Sequence, residues 1–136
     1  MVAKKFNAET VRLDEVIEFI DEQLEQADCP IKIQMQLDIA VEEIFVNVAH
    51  YAYHPDVGEV EIKVEITENP KAAVITFLDS GKPFNPLEKP DPDITLSLEE
   101  RKLGGLGIFM VKKTMDDVKY EFVNGHNCLE LTKRFE

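Results

Sequence analysis

Residues 37–53 read LDIAVEEIFVNVAHYAY, the longest mainly apolar segment with helical spacing in the chain. Apolar side chains recur there at the spacing of one helical face, and most of the other positions are apolar too. The members of that face are Leu37, Val41, Ile44, Phe45, Val48 and Ala52. The pattern predicts a helix from Pro30 to about Tyr53, and a helix that is apolar nearly all round is buried. Its polar positions therefore need an explanation.

Glu43 and Asn47 are the polar positions that matter most in this helix. A spacing of four residues puts the carboxylate and the amide on one face, roughly 6 Å apart, and His50 falls on the same side. A carboxylate on an apolar helix loses hydration, so it either pairs or faces a cavity that holds a metal ion and water. Alternatively, Glu43 reaches an exposed edge and Asn47 caps a neighbouring backbone group.

The rest of the chain predicts helices on one side and strands on the other. Residues 4–9 form a first strand, and the apolar face from Leu13 to Leu24 is typical of a helix. Strands follow over residues 60–66 and 72–78, and a further helix runs from Gly105 to about Met115. Strands around residues 118–122 and 128–134 enclose an Asn124-Gly125 hairpin turn. We expect an α/β (α+β) two-layer sandwich with a mixed, mostly antiparallel sheet.

Composition limits the class of protein. The chain has 136 residues, which is typical of a single domain over residues 1–136 with its own hydrophobic core. A net charge of −12 argues against nucleic acid as a partner. No apolar run or signal peptide points to a membrane or to export. Cys29 and Cys128 lack partners at ligand spacing, which favours free thiols and a cytoplasmic location.

A second motif, Asp79-Ser80-Gly81-Lys82-Pro83-Phe84, directly follows an apolar strand. The glycine permits a close approach of the backbone, and an aspartate at a strand end can accept a hydrogen bond from an exocyclic amine. An ordinary turn would use the same residue types. Residues 79–103, which begin with this motif, show neither helical nor strand periodicity. They contain four prolines, Pro83, Pro86, Pro90 and Pro92. A loop of this length in a compact domain is functional or mobile.

A third motif, residues 103–111 with the sequence LGGLGIFMV, leads glycines into an apolar helix. Backbone amides at a helix N-terminus form an anion site, and Arg101 and Lys102 add positive charge just upstream. The motif lacks the Gly-Lys-Ser/Thr of a Walker sequence and does not follow a strand as a dinucleotide fingerprint does. A flexible linker before a helix is the alternative.

The order and spacing of the three motifs resemble the Bergerat-fold (gyrase/histidine-kinase-like) ATP-binding domains, and specifically the anti-sigma-factor serine/threonine kinases. Glu43 and Asn47 match the family's Glu-x-x-x-Asn box. The Asp-x-Gly-x-Pro-Phe box is matched by Asp79, Gly81, Pro83 and Phe84, and the Gly-Gly-x-Gly-Ile box by Gly104, Gly105, Gly107 and Ile108. The chain departs from the family's pattern at residues 50–53, His-Tyr-Ala-Tyr, and at residues 125–127, Gly-His-Asn.

The resemblance implies roles for individual residues. Glu43 would be the general base, Asn47 would bind the Mg²⁺ ion on ATP, and Asp79 would accept from the adenine amino group. Residues 85–103 would form a lid over ATP. The remaining residues implied in ATP binding are His50, Gly81, Pro83, Phe84, Arg101, Lys102, Gly104, Gly105, Leu106, Gly107 and Ile108.

The resemblance also implies partners, and three functions remain open. The first is an ATP-dependent kinase that phosphorylates an anti-anti-sigma protein and sequesters a sigma factor. The second is a non-catalytic module whose partner affinity is gated by ATP. The third is a detached histidine-kinase ATP-binding domain, which would need a dimerisation helix with a phospho-accepting histidine. The family often forms homodimers. Retention of both Glu43 and Asn47 favours the kinase, because binding alone does not need the carboxylate.

Overall fold

A computed structural model describes residues 1–53, 56–88 and 103–136. The strands are β1 (Val2–Asn7), β2 (Glu59–Thr67), β3 (Ala72–Asp79), β4 (Asp117–Val123) and β5 (His126–Arg134). The helices are α1 (Leu13–Gln26), α2 (Ile31–Asn47) and α3 (Leu103–Thr114). Short 3-10 turns lie at Thr10–Arg12 and Pro86–Glu88, and a π-helical turn at Val48–Ala52 continues α2.

The described strands form one sheet in the order β1-β2-β3-β5-β4. All four strand pairings in this sheet are antiparallel, whereas the prediction was a mixed, mostly antiparallel sheet. β1 and β4 are the edge strands of this sheet. The three helices pack beside the sheet, so the predicted two-layer sandwich is confirmed.

The core lies between the helices and one face of the sheet. In β2, Val60, Ile62 and Val64 are buried and alternate with charged residues, as a strand with one covered face requires. α1 and α2 contribute the facing side chains, which include Val16, Ile20, Leu24, Leu37, Val41, Ile44 and Phe45. Burial of each large apolar side chain stabilises the fold by roughly 1.5–3 kcal/mol.

Helix α2 confirms the predicted apolar face but not burial on all sides. Leu37, Val41, Ile44 and Phe45 are at most 1% exposed. Ile31, Met35 and Ile39, at intervals of four residues on the outer face, are 72%, 60% and 59% exposed. The expectation of a fully buried helix is therefore wrong on this face, because α1 and α3 flank α2 without covering it.

The predicted element boundaries are correct to within a few residues. β1 begins at Val2 instead of residue 4, β5 begins at His126 instead of Cys128, and α3 begins at Leu103 instead of Gly105. The larger difference is at the end of α2, where the predicted helix to Tyr53 passes into the π-turn at Val48. Apolar spacing does not distinguish the two, since a π-turn adds one residue to a helix turn without needing a polar one.

Neither cysteine forms a disulfide, as the sequence predicts. Cys29 and Cys128 are free thiols and half-buried, and their burial raises the pKa of both. Across the described ranges, no helix has the length and apolar character needed to span a membrane.

Candidate functional site

A small cavity opens between α2 and the sheet. Its volume is about 20 Å³, close to the space that one water molecule needs. The polar residues that line it are Asn47, Asp79, Tyr120 and Asn127, and its apolar wall is formed by Ile44, Val48, Ala52, Phe77, Phe84, Pro86 and Leu129. Asn47 and Asp79, which come from two different sequence motifs, therefore face the same space.

Asn47 is held at the last turn of α2. Its side chain is buried, and Nδ2 donates a hydrogen bond of 2.7 Å to the backbone oxygen of Glu43. A short polar side chain in a helix commonly bonds to the carbonyl one turn earlier. This bond holds the Asn47 side chain at the end of α2 that borders the cavity.

Glu43 lies one turn before Asn47, where α2 contacts α3. A Cβ atom placed on Gly107 would lie 1.8 Å from Glu43 Oε2 and 2.0 Å from its Cδ. Only glycine at this position lets α3 approach the carboxylate so closely. The first and third sequence motifs are therefore in contact, although more than 55 residues separate them along the chain.

Asp79 ends β3 and is 5% exposed. Its Oδ1 accepts hydrogen bonds from the backbone nitrogen of Gly81 and from Asn127 Nδ2, each at 2.9 Å. Glycine at position 81 also allows the backbone to pack directly against Ala52, since a Cβ there would lie 2.3 Å from the Ala52 oxygen. The same oxygen accepts from the Lys82 nitrogen at 2.9 Å. The π-turn thereby anchors the segment that follows Asp79.

Tyr53 supports the same segment from the outside. Its hydroxyl donates to the Glu59 oxygen at 2.6 Å and accepts from the Ser80 nitrogen at 2.8 Å. Burial is the main cause that raises the pKa of Tyr53, and the charges of Asp79 and Glu59 add to the increase. The Tyr53 hydroxyl therefore stays protonated at neutral pH and can donate its hydrogen bond to the Glu59 oxygen.

His50 does not line the cavity, although the sequence places it on the side of Glu43 and Asn47. It is exposed, lies edge-on to Tyr51 with ring centroids 6.1 Å apart, and lines a separate hollow that includes Lys82. The π-turn explains this position, because the extra residue in the turn rotates His50 away from the face that Glu43 and Asn47 share.

The remaining predicted residues divide into three groups. Phe84 lines the cavity and stacks on Tyr51 at 5.3 Å, whereas Pro83 is exposed. Ile108 is 1% exposed and belongs to the core, and the backbone of Gly104, Gly105 and Leu106 lies in the first turns of α3. Arg101, Lys102 and most of the predicted lid, residues 89–102, lie outside the described residues.

Asn127 is the site residue that the sequence motifs miss. It lies on β5 directly opposite Asp79 in the antiparallel ladder and is 5% exposed. A signal was available, because Asn127, Leu129 and Leu131 alternate along β5 and the first of these inward positions carries an amide. An amide at a core position requires hydrogen-bond partners.

Sequence similarity to known proteins extends over most of the chain. The family model described as "Histidine kinase-like ATPase domain" matches residues 6–133. "Serine-protein kinase RsbW" of Bacillus thuringiensis (strain Al Hakam) is 32% identical over 95 residues. The proteins of the same name from Bacillus cereus (strain AH820) and Bacillus anthracis (strain CDC 684 / NRRL 3495) are 32% identical over 97 residues.

These matches cover 68% of this chain but only 59% of the length of each relative. The family model, by contrast, extends over nearly all of the chain and includes all three motifs. The chain belongs to the histidine kinase-like ATPase domain family.

Proposed function

We propose that this domain binds ATP with Mg²⁺ and transfers the γ-phosphate to a serine or threonine of a partner protein. The observation that carries the proposal is the convergence of the three motifs on α2. Asn47 shares a cavity with Asp79, while the Glu43 carboxylate lies against Gly107. The cavity beside Asp79 suits the adenine ring, and the space next to α3 suits the phosphates. The arrangement therefore fits a nucleoside triphosphate.

Adenine would occupy the cavity beside Asp79. A carboxylate oxygen accepts from the exocyclic amino group, and Gly81 leaves room for the ring to approach. A cavity of about 20 Å³ is too small for a purine. Phe84 and Pro86, which line it, must therefore move outward when the base enters. Phe84 directly precedes the predicted lid and Pro86 lies within it, which suggests that the adenine ring and the lid move together.

The phosphates would lie between Asn47 and the first turns of α3. The backbone amides of Gly104 and Gly105 and the positive end of the helix dipole suit an anion. Gly107 is the fifth residue of α3, beyond the four whose amides are free, so its part would be to bring the helix close to Glu43. Arg101 and Lys102 would add charge next to them. Asn47 fits a magnesium site because an amide oxygen is a ligand that this ion accepts alongside water and phosphate oxygens. The ion would neutralise charge that develops on the phosphates.

Glu43 would act as the general base. It accepts the proton of the substrate hydroxyl as that oxygen bonds to the γ-phosphorus, and ADP leaves with the electrons of the broken bond. Contact with α3 at Gly107 would keep the carboxylate next to the phosphate-binding backbone. By analogy with the serine-protein kinases above, we propose an anti-anti-sigma protein as substrate and a sigma factor as a second partner. The free thiols favour the cytoplasm as the location.

Nucleotide binding can be measured by isothermal titration calorimetry. We expect heat from ATP and from ADP that depends on Mg²⁺, and a weaker interaction for Asp79→Asn, which replaces one acceptor oxygen with a donor. Folded protein that gives no heat with either nucleotide over a wide concentration range would contradict the proposal.

Phosphotransfer separates the kinase from the other two functions. With radiolabelled ATP and partner proteins encoded nearby, Glu43→Gln should retain ATP affinity and lose roughly 10²- to 10⁴-fold in rate. Asn47→Ala should weaken Mg²⁺·ATP binding itself. Full transfer by Glu43→Gln would refute its role as base. Tight ATP binding by the wild type without transfer to any partner would favour the nucleotide-gated binding module, and transfer to a histidine would favour the histidine-kinase domain.

A further inference from the structure

Asn127 makes four hydrogen bonds within the protein. Its Nδ2 donates to Asp79 Oδ1 and to the Lys82 backbone oxygen, each at 2.9 Å. Its Oδ1 accepts from the Phe84 backbone nitrogen at 3.1 Å and from the Tyr120 hydroxyl. A carboxamide can donate two hydrogen bonds and accept two, so this side chain is fully used.

The partners fix which way round the amide lies. If the nitrogen and oxygen were exchanged, Oδ1 would face Asp79 Oδ1 and the Lys82 oxygen, and no donor would lie between these acceptors. Nδ2 would face the donors of Phe84 and Tyr120 instead. Three favourable contacts would become repulsive, and only the Tyr120 hydroxyl could adapt, by accepting instead of donating. The site is 5% exposed, and unsatisfied polar groups there are costly.

Asp79 is oriented by the same bonds. Both of its described hydrogen bonds, from Gly81 and from Asn127, end on Oδ1. They come from a backbone amide and from a side chain on the neighbouring strand, which together limit rotation of the carboxylate. Oδ2 is then the oxygen that a ligand in the cavity would meet, and it can only accept.

We infer that Asn127 is a positioning residue for recognition of the adenine ring, and that it acts through Asp79 without a hydrogen bond of its own to the ligand. Because its hydrogen bonds are all made within the protein, its contribution is to hold Asp79 as an acceptor and to fix the backbone from Lys82 to Phe84. The inference rests on the proposed function. It predicts that Asn127 controls selection of a purine with a donor at position 6, adenine, over one with an acceptor there.

Inosine triphosphate is the matched probe, since it carries an oxygen where ATP carries the amino group and has the same phosphates. We expect the wild type to bind ATP at least ~10-fold more tightly than inosine triphosphate, the size of one charge-assisted hydrogen bond. Calorimetric titration of both nucleotides with each variant gives this ratio of dissociation constants. Protonation of the phosphates affects both ligands alike, so the ratio is insensitive to it.

Asn127→Asp keeps the shape of the side chain and removes both donors. At pH 8 we expect the ratio to fall to within ~3-fold of unity, through weaker ATP binding, while inosine triphosphate binding changes little. At about pH 5.5 two adjacent carboxyls share a proton, which restores a donor towards Asp79. Part of the preference for ATP over inosine triphosphate should therefore return. Ser80→Ala, which removes only an exposed hydroxyl bonded to His126, should keep the wild-type ratio.

A purely structural role for Asn127 would weaken both nucleotides equally, and an unchanged ratio at pH 8 would show no role; either result overturns the inference. If Asn127→Asp does not fold by circular dichroism, Asn127→Ser decides the matter by the same ratio. Wild-type protein that binds neither nucleotide refutes the proposed function and the inference with it. Wild-type selectivity for ATP that persists in the Asn127 variants refutes the inference alone.

Discussion

Asp38 is a carboxyl group in an unfavourable position between α1 and α2. Burial raises its pKa to about 8, and a hydrogen bond with Asp21 and the charges of Asp21 and Glu25 add to the increase. In an unfolded chain the pKa of this group would be near 3.8. Between these two values the folded protein holds a proton that the unfolded chain releases, so the free energy of unfolding decreases as the pH rises from about 4 to about 8.

Asp38→Asn should therefore stabilise the protein, because asparagine resembles the protonated acid at every pH. We expect little change near pH 4 and a melting temperature higher by roughly 2–5 °C near pH 8. Thermal denaturation followed by circular dichroism at several pH values measures both. Glu42→Gln, which removes an exposed carboxylate from the same helix, is the control. Equal gains for the two variants at pH 8 would mean that net charge, and not the buried position, is the cause.

Single residues differ in how far the sequence reveals them. Glu43 and Asp79 could be predicted as candidate site residues because they interrupt apolar patterns and match ordered motifs. Asn127 was missed because the alternation along β5 shows that it faces inward but not which residue it meets, and its place opposite Asp79 depends on the strand register. The raised pKa of Asp38 was not predictable either, since it depends on contact between two helices.

Packing of α3 on α2 makes Gly107 a test of the site. A Cβ there would collide with the Glu43 carboxylate, which is the flexible end of a side chain and can move. Alanine also favours a helix by about 1 kcal/mol over glycine. Gly107→Ala should therefore leave the melting temperature unchanged or slightly higher. It should reduce the rate of the proposed phosphotransfer at least ~10-fold, because the Glu43 carboxylate is displaced.

Gly81→Ala is the matched comparison, because its Cβ would collide with backbone. The nearest atom is the Ala52 carbonyl oxygen at 2.3 Å, in the π-turn that anchors the segment after Asp79. We expect a lower melting temperature and weaker nucleotide binding from this variant. Thermal denaturation and phosphotransfer rates for both variants test the pair. A large loss of stability in Gly107→Ala, or full transfer by it, would contradict the contact described between α2 and α3.

Regular elements were predictable from the sequence, and their irregular ends were not. Alternation in β2 and the apolar face of α2 each depend on a repeating pattern that burial imposes. The π-turn has no such pattern, and it changes the site by turning His50 away from the cavity. The exposed Ile31, Met35 and Ile39 were also missed, because apolar content alone does not show which helices lie outside.

Charge across the molecule is strongly unbalanced. The net charge is −12, and every charged residue of α1 is acidic. Several ion pairs of the described residues, such as Arg12 with Glu15, have exposed or half-buried side chains, and pairs of this kind add little stability. Repulsion between carboxylates therefore acts over the whole surface and opposes the folded state.

Sodium chloride should raise the melting temperature. Between about 0.02 M and about 0.5 M salt the screening length falls from ~20 Å to ~4 Å, which removes most repulsion between distant carboxylates. We expect an increase of a few degrees, measured by differential scanning calorimetry at pH 7.5. Glu18 and Glu22 are both exposed on α1. The double variant Glu18→Gln with Glu22→Gln should have a higher melting temperature at low salt and should gain less from added salt than the wild type. A lower melting temperature at high salt would show that ion pairs outweigh repulsion.

The edge strands have a consequence for the behaviour of the protein at high concentration. Among the strands that the structure describes, β1 and β4 each leave one row of backbone hydrogen-bonding groups without a strand beside it, and such rows can recruit strands from other molecules. Lys4 and Lys5 of β1, and Asp117, Lys119 and Glu121 of β4, are exposed along these edges. An added strand would have to accommodate these charges, so the edges resist aggregation by continued growth of the sheet.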